Sequence, residues 1–365
     1  MILIKLNLTN FLFNKLINSL FTLFGVVTLI FFLFNVLPGD PAQMMLGQNE
    51  NSQQLINVKK KYGFDQSIST QYLYYLNDLS PISFHSNEEE NYTFLQENKY
   101  TAIELIKFKS YTIVFKFPYL RTSFTMQGKK VSEIIRNTLP NTIVLAISAI
   151  IIAIIIGIFL GIISAVLKDS YIDKTIQLIS VVGMSLPSFF SAILFAWFFG
   201  YVLNEYTNLE MTGSLYELDD YGEKYNIKLK NLILPAIVLG IRPLAVISQL
   251  MRNELLDVLN QDYIRTARAK GLTEFNVIKN HGIKNSLNPV VTAISGWFAS
   301  LLAGAVFVEY IFGWNGLGKE IVNALNNLDL PVIMGSVLII AFMFIIINIL
   351  VDMIYAWLDP RVKLN

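Results

Sequence analysis

One stretch of the chain matches most of a phosphate-binding loop. Gly313-Trp314-Asn315-Gly316-Leu317-Gly318-Lys319 fits the first seven positions of such a loop, whose backbone amides and lysine would hold a nucleotide. The eighth position is Glu320, where Ser or Thr would be needed for magnesium. A working loop also connects a strand to a helix, whereas this one follows an apolar helical pattern. We therefore predict no nucleotide site in this stretch.

Other catalytic or metal-binding groups are scarce in the chain. It has no Cys, which excludes disulfides, thiolate metal sites and Cys nucleophiles, and the only histidines, His85 and His281, cannot form a helical i, i+4 metal pair. Gly183-Met184-Ser185 is the nearest serine motif, but it lacks the second glycine of a nucleophile elbow. We expect no catalytic residue, no metal and no cofactor in this chain, which disfavours an intramembrane hydrolase.

One ionisable residue is predicted to lie deep in an apolar segment. Arg242 is about midway between Lys230 and Arg252, which places it roughly 15 Å into the segment at the helical rise. Charged groups at that depth are functional candidates. Arg242 could meet a substrate carboxylate in a translocation path, or it could bond to a neighbouring helix or to carbonyls freed by Pro243. Both readings stay open.

The composition indicates a membrane protein. Hydrophobic residues make up 54% of the chain and charged residues 15%, more apolar surface than one soluble core could bury. The fold expected is all-α and polytopic. A spanning helix needs roughly 20 apolar residues. Six segments approach or exceed that length: 16–37, 139–167, 175–203, 232–251, 289–312 and 331–358. The first is too long for a signal peptide and is read as a retained anchor.

The distribution of charge predicts the orientation in the membrane. Residues 252–288 carry six basic side chains, whereas the 204–231 loop has six acidic residues against three lysines. Basic loops stay inside, so both termini are predicted to be cytoplasmic. The predicted domains are the N-terminus with helix 1, an extracytoplasmic loop domain, a membrane core of helices 2–6, and a cytoplasmic tail: residues 1–37, 38–138, 139–358 and 359–365.

The long 38–138 segment should carry structure of its own. Tyr111–Phe117 is rich in β-branched and aromatic residues, which favours a strand. We expect a small α+β domain outside the membrane.

The basic loop between the fourth and fifth predicted helices is the most informative segment. Its pattern predicts two short helices, with Gly271 at the bend and Thr273 capping the second. Arg265, Arg268 and Lys270 would reach outward from a compact turn. By composition alone, this fits a solvated helical loop as well as a docking surface for another protein.

The residue string itself resembles a known family. Asp262 to Leu272, followed by His281, Lys284, Asn285 and Pro289, is similar to the cytoplasmic loop motif of ABC importer permeases of the dipeptide, oligopeptide and nickel family. Other matching motifs occur along the chain: Leu37–Pro41, Tyr62–Asp65, Gln71–Leu73, Leu139–Thr142, Ser185–Phe189, Glu309–Gly318 and Asp359–Arg361. Residues 80–120 do not fit the family pattern and are read as an insert that contacts a binding protein.

The resemblance implies an architecture and a set of partners. It implies the type I importer permease fold, a second homologous permease in a heterodimer, two cytoplasmic ATPase subunits that bind ATP and magnesium, and an extracytoplasmic substrate-binding protein. The chain would be the permease subunit that passes peptides or a related small solute across the bacterial inner membrane. An ion-gradient-driven secondary transporter is the alternative, although neither a mid-membrane acid nor a repeat supports it.

The resemblance also assigns roles to residues. The loop that would transmit ATPase movement comprises Asp262, Tyr263, Arg265, Thr266, Ala267, Arg268, Ala269, Lys270, Gly271, Leu272, His281 and Asn285. The family signature comprises Pro38, Gly39, Asp40, Pro41, Pro187, Gly316, Gly318, Asp359, Pro360 and Arg361.

Overall fold

The computed structural model is mostly helical and describes residues 2–36, 42–43, 52–89, 91–96, 99–126, 128–219 and 221–358. The helices are α1 Ile2–Val36, α2 Ser52–Tyr62, α3 Ile68–Leu79, α4 Val131–Val166, α5 Tyr171–Ser185, α6 Ser188–Trp197, α7 Asn204–Thr207, α8 Lys230–Leu259, α9 Asp262–Ala269, α10 Glu274–Val277, α11 Lys284–Phe312, α12 Leu317–Asn326 and α13 Leu330–Leu358. Phe198–Val202 and Ile278–Ile283 are π-helical. The strands are β1 Ile82–Ser86, β2 Ala102–Lys107, β3 Tyr111–Lys116, β4 Tyr216–Leu218 and β5 Tyr225–Ile227.

Five helical segments in the described part of the chain are long and apolar enough to cross a membrane. They are Lys15–Asn35, Val131–Val166, Lys230–Leu259, Glu274–Phe312 and Leu330–Met353. The span predicted over 175–203 is present only as a bent pair of helices. Helices α5 and α6 meet there at a bend of 110°. Leu186 adopts an extended conformation because the following Pro187 disfavours helical backbone at the residue before it. The pair counts as a sixth span if taken together.

The chain divides into two compact units. The first comprises Met1–Ile17, Thr138–Glu320 and Phe342–Asn365. Its core forms where α8 packs against α4, α5 and α11. Glycines bring α4 and α8 close: a Cβ added at Gly161 would lie 2.6 Å from the carbonyl oxygen of Ser248, and one at Gly240 would lie 2.8 Å from that of Ala149. Small residues at such crossings allow tight contact between membrane helices.

The second unit comprises Asn18–Asn137 and Ile321–Ala341. Strands β1, β3 and β2 form an antiparallel sheet in that order, so the strand predicted at Tyr111–Phe117 is its centre. Helix α3 packs on α1, where Phe31 stacks on Tyr75 and the Tyr72 hydroxyl lies 2.6 Å from that of Thr28. This fold agrees with the small α+β domain expected from the sequence.

A carboxylate joins two distant parts of the second unit. Asp329, just before α13, is fully buried. It accepts hydrogen bonds from the Ser123 hydroxyl, from the backbone amides of Phe124 (3.1 Å) and Thr125 (3.2 Å), and from the Thr125 hydroxyl (2.8 Å). The segment that precedes α4 is therefore fixed to the start of the last span.

Candidate functional site: the 262–285 loop

The 262–285 loop is a compact helical turn anchored on α8. Ile264 and Ala267, three residues apart on one face of α9, are buried together with Val277 of α10. They pack against Val258 and Leu259 at the end of α8. The loop is therefore held on the end of α8 by an apolar contact.

The turn between the two short helices has the predicted glycine bend and threonine cap. Gly271 has a φ of +80°, a backbone conformation that glycine adopts without steric cost. The Thr273 hydroxyl accepts a hydrogen bond from the amide of Asn276 and caps α10. Arg268 donates to both carboxylate oxygens of Glu274 across the turn, at 2.8 and 3.3 Å. Both side chains are exposed, so this pair orients the turn more than it stabilises the fold.

A π-helix connects the loop to α11. Within Ile278–Ile283, Gly282 lies so close to α8 that an added Cβ would meet a Leu255 methyl at 3.0 Å. Asn285 donates to the carbonyl oxygen of His281 at 3.0 Å and to the hydroxyl of Tyr263 at 3.1 Å. These bonds connect the predicted residues Tyr263, His281 and Asn285 to one another. Short π-helices often occur at functional sites.

The outer face of the loop combines aromatic and cationic groups. Phe275 is 71% exposed and Tyr263 43%, and the ammonium of Lys279 lies 5.7 Å from the centre of the Phe275 ring. Of the predicted loop residues, Ala267 is buried and His281 is half-buried, while the others are exposed. Aromatic side chains such as these are enriched at protein interfaces.

An ion pair that the sequence analysis missed joins α5 to α8. Arg252 donates to both oxygens of Asp173, at 2.8 and 2.7 Å, and the Asp173 side chain is 3% exposed. Asp173 also accepts from the Ser164 hydroxyl at 2.5 Å and the Asp169 amide at 3.0 Å. The local signal was the Ser170-x-x-Asp173 pattern of a helix N-terminus, in which Ser170 caps α5. That pattern does not predict that Arg252 is the partner of Asp173.

The glycines of the phosphate-loop-like stretch accommodate a carboxylate. Glu309 is fully buried and accepts hydrogen bonds from the amides of Gly318 at 2.7 Å and Lys319 at 3.2 Å. A Cβ added at Gly316 would clash with that carboxylate, and one at Gly318 would lie 2.5 Å from the Cα of Val306. Amides that would hold phosphate are thus occupied, and the stretch follows a helix. The expectation that this stretch holds no nucleotide agrees with this geometry.

The same stretch contacts the start of the apolar part of α4. The Trp314 indole donates to the carbonyl oxygen of Asn141 at 3.1 Å, and the Asn141 amide donates to that of Asn315 at 2.7 Å. The Thr142 hydroxyl accepts from the amide of Leu317 at 2.8 Å. Two motifs quoted for the family resemblance, Leu139–Thr142 and Glu309–Gly318, are therefore packed together.

The remaining predicted residues are placed as follows. Arg242 is exposed on α8 and, among the described residues, has no hydrogen bond or ion pair, so the bond to carbonyls freed by Pro243 is not formed. Pro187 occupies the N-cap position of α6, at the bend. The ranges Pro38–Pro41 and Asp359–Arg361 lie outside the described residues. Within the described part, no cluster of three His, Asp or Glu side chains could hold a metal ion.

Comparison with known proteins identifies the family. The chain belongs to the binding-protein-dependent transport system inner membrane components, whose family model matches residues 157–364, with the matching N-terminal model over residues 8–88. It is a multi-pass membrane permease subunit of an ABC importer, and not itself an enzyme.

Several relatives are similar over nearly the whole chain. One is the dipeptide transport system permease protein DppB of Alkalihalophilus pseudofirmus, 32% identical over 93% of this chain and 95% of its own length. Another is the probable D,D-dipeptide transport system permease protein DdpB of Escherichia coli, 30% identical over 93% of each chain. An inward-facing structure of the MetNI methionine ABC transporter shares the fold, with a TM-score of 0.50 and 15% identity over 62% of this chain and 96% of that one.

Proposed function

We propose that this chain is one half of the translocation path of a peptide importer, with the 262–285 loop as its contact with an ATPase subunit. The relatives named above are dipeptide permeases, which supports a peptide-like solute. The proposal rests on the different character of the two faces of the loop. Its inner face is buried on α8, while its aromatic and cationic outer face is free to bind a partner.

ATP and magnesium bind to two separate cytoplasmic ATPase subunits in this proposal. The only stretch of this chain that resembles a phosphate loop holds its own carboxylate, Glu309. When the ATPase dimer closes on ATP, the loop moves with it and α8 follows. The Arg252–Asp173 pair then carries the movement to α5. The different contacts made in each nucleotide state would shift the population between inward-open and outward-open states.

The translocation path is completed by a second, homologous permease subunit. The described part of this chain provides at most six spans. Within it, Arg242 is exposed and has no hydrogen-bonding or ionic partner. A guanidinium at that depth is matched by a carboxylate, and the C-terminus of a peptide supplies one. Arg242 is therefore assigned to the substrate path of the heterodimer.

The orientation follows from the assignment of the loop. An ATPase contact at 262–285 requires both termini to be cytoplasmic and the 38–138 domain and the β4–β5 hairpin to be outside, which agrees with the basic 252–288 loop. The outer domain then faces the substrate-binding protein. A gradient-driven transporter is not favoured, because the buried carboxylates of Asp173 and Glu309 are both bonded within the chain.

The test uses the absence of cysteine. A single Cys is introduced as Lys270→Cys on the outer face of the loop, and the chain is expressed with its partner subunits. We expect a crosslink to an ATPase subunit that changes with nucleotide. Tyr221→Cys, 89% exposed in the β4–β5 turn, is the matched control and should give none. An inserted, folded Lys270→Cys protein that crosslinks to no ATPase would refute the proposal.

A further inference from the structure

The domain between the first two spans contains a buried carboxylate surrounded by cations. Asp78 is fully buried and accepts hydrogen bonds from Arg121 Nε at 3.0 Å and from the hydroxyls of Tyr92 at 3.0 Å and Tyr100 at 2.9 Å. Its backbone oxygen accepts from Lys116 Nζ at 2.5 Å. The carboxylate is therefore already saturated with donors.

Lys99 adds a further cation to this group. Its Nζ lies 3.8 Å from the centre of the Tyr92 ring, 4.8 Å from that of Tyr100 and 5.7 Å from that of Tyr119. It donates to the carbonyl oxygen of Tyr92 at 3.1 Å and, among the described residues, makes no salt bridge. Lys99, Lys116 and Arg121 thus outnumber Asp78 by three charges to one.

The neighbouring histidine does not add to this excess of positive charge. Burial lowers the pKa of His85, which is therefore neutral at pH 7. Burial also lowers the pKa of Lys99 and of Lys116 to about 8, although Asp78 opposes the change. Both lysines remain mostly protonated at neutral pH, and among the described residues neither forms a salt bridge with a carboxylate. A bound anion would relieve this imbalance.

An open cleft leads to Lys99. Its volume is about 440 Å³, and Lys99 and Arg121 line it together with Lys60 and Glu89. Five aromatic residues also line it, Tyr62, Phe64, Tyr92, Tyr119 and Phe124, and the remaining lining residues are Asn91, Gln96, Thr122 and Gly128. Phe64 and Phe124 meet edge to face with their centres 5.9 Å apart, and Tyr62 stacks on Phe64 at the same distance. A cleft with cations at one place and aromatic rings around it suits a ligand with an anionic end and an apolar body.

We propose that this cleft binds the carboxylate of a small organic ligand, with Lys99 as the recognising cation and the aromatic rings holding an attached apolar group. The C-terminal carboxylate of a short peptide has this chemistry. An acidic side chain of a docked binding protein offers the same group, and the test separates the two sources. Only the choice of a peptide as the ligand rests on the proposed function. The site itself rests on the charges and the cleft.

The test follows the chemical reactivity of Lys99 in the full-length chain, purified with its partner subunits. An amine-reactive acylating reagent is applied at pH 7.5, and the labelling of each lysine is measured by mass spectrometry. The probe is N-acetyl-phenylalanine, and its amide is the matched neutral ligand. We expect N-acetyl-phenylalanine to slow the labelling of Lys99 about tenfold when its concentration is ten times its Kd. The amide should have no effect, and exposed Lys107 should label equally throughout.

The outcomes show whether the cleft binds a carboxylate and whether that carboxylate comes from a small ligand or from the binding protein. Equal protection by the acid and the amide would overturn the assignment of a carboxylate. Protection by ligand-free binding protein but not by N-acetyl-phenylalanine would overturn the small ligand. No protection by either would refute the site. Calorimetry adds a second readout, in which Lys99→Met should abolish binding and Lys107→Met should not. None of these readouts requires transport, so failure of the peptide-import proposal would be seen separately.

Discussion

The guanidinium of Arg252 binds the carboxylate of Asp173 through two hydrogen bonds, of 2.8 and 2.7 Å, across 79 residues of sequence. The pair joins the start of α5 to the part of α8 that lies one turn before the buried Leu255. Removing one partner leaves the other charge largely buried. Asp173→Asn should therefore lower the free energy of unfolding by about 3–5 kcal/mol and reduce substrate-stimulated ATP hydrolysis.

This effect is measured by thermal unfolding of the purified complex. Lys230→Met removes the ion pair with Glu210, in which both side chains are about 40% exposed, and serves as the control. It should change stability by less than about 1 kcal/mol. Equal losses in the two variants would contradict a special role for the buried pair.

The bend of the 262–285 loop provides a second prediction. Gly271→Ala forces a residue with a Cβ into a φ of +80°, at a cost of about 1 kcal/mol. We expect ATP hydrolysis by the complex to become uncoupled from transport. The number of solute molecules imported per ATP hydrolysed should therefore fall. Gly222→Ala is the matched control, since its φ is +73° and neither glycine has a neighbour within 4 Å of the added Cβ. If both variants lower the ratio equally, backbone strain alone is responsible.

The packing of Glu309 provides a third prediction. Gly316→Ala pushes a methyl group toward the buried Glu309 carboxylate, and Gly318→Ala pushes one toward the backbone of α11. Each should lower the free energy of unfolding by about 1–3 kcal/mol or more. The yield of inserted protein and its melting temperature measure the loss. Gly296→Ala and Gly304→Ala introduce the same methyl group on α11 with no atom within 4 Å, so neither should lower stability. Similar losses at all four sites would contradict the assignment to close packing.

Arg242 provides a fourth prediction, which concerns substrate. Arg242→Gln should raise the KM for import of a dipeptide with a free C-terminus, while a dipeptide amide should be imported equally by both proteins. Arg242→Lys, which keeps the charge, should recover part of the loss. An equal effect of Arg242→Gln on both dipeptides would mean that the guanidinium does not bind the carboxylate.

The stability of the domain between the first two spans should change with pH in a defined direction. The pKa of Lys99 and of Lys116 is about 8 in the folded state, against 10.5 ordinarily, because burial disfavours their charged forms. Between these values the unfolded chain binds more protons, so stability should rise from pH 8 to pH 10. Above pH 10 the rise should end, because burial raises the pKa of Tyr75 and Tyr119 to about 12 and the folded state then binds more protons.

Pulse proteolysis in urea measures this stability through cleavage within residues 82–116. The double variant Lys99→Met, Lys116→Met should lose the rise between pH 8 and pH 10. A wild-type protein whose urea midpoint falls over the same range would contradict the assignment of these two lysines.

Local patterns predicted the features that depend on neighbouring residues. The bend at Gly271, the Thr273 cap and strand β3 all follow from the residues at those positions. The break at Leu186–Pro187 had an equally local signal, but the continuous hydropathy of 175–203 concealed it. The long-range pairs could not be read from sequence, because nothing near Asp173 or Asp78 names Arg252 or Arg121 as its partner.

The four hydrogen bonds to Asp329 imply an order of events during synthesis. Phe124 and its neighbours leave the ribosome about 205 residues before their acceptor. At roughly 5–20 residues per second, these donors wait at least about 10 s for it. The packing of this segment is thus completed only after Asp329 has been synthesised. A product truncated before Asp329 would leave these donors without their acceptor.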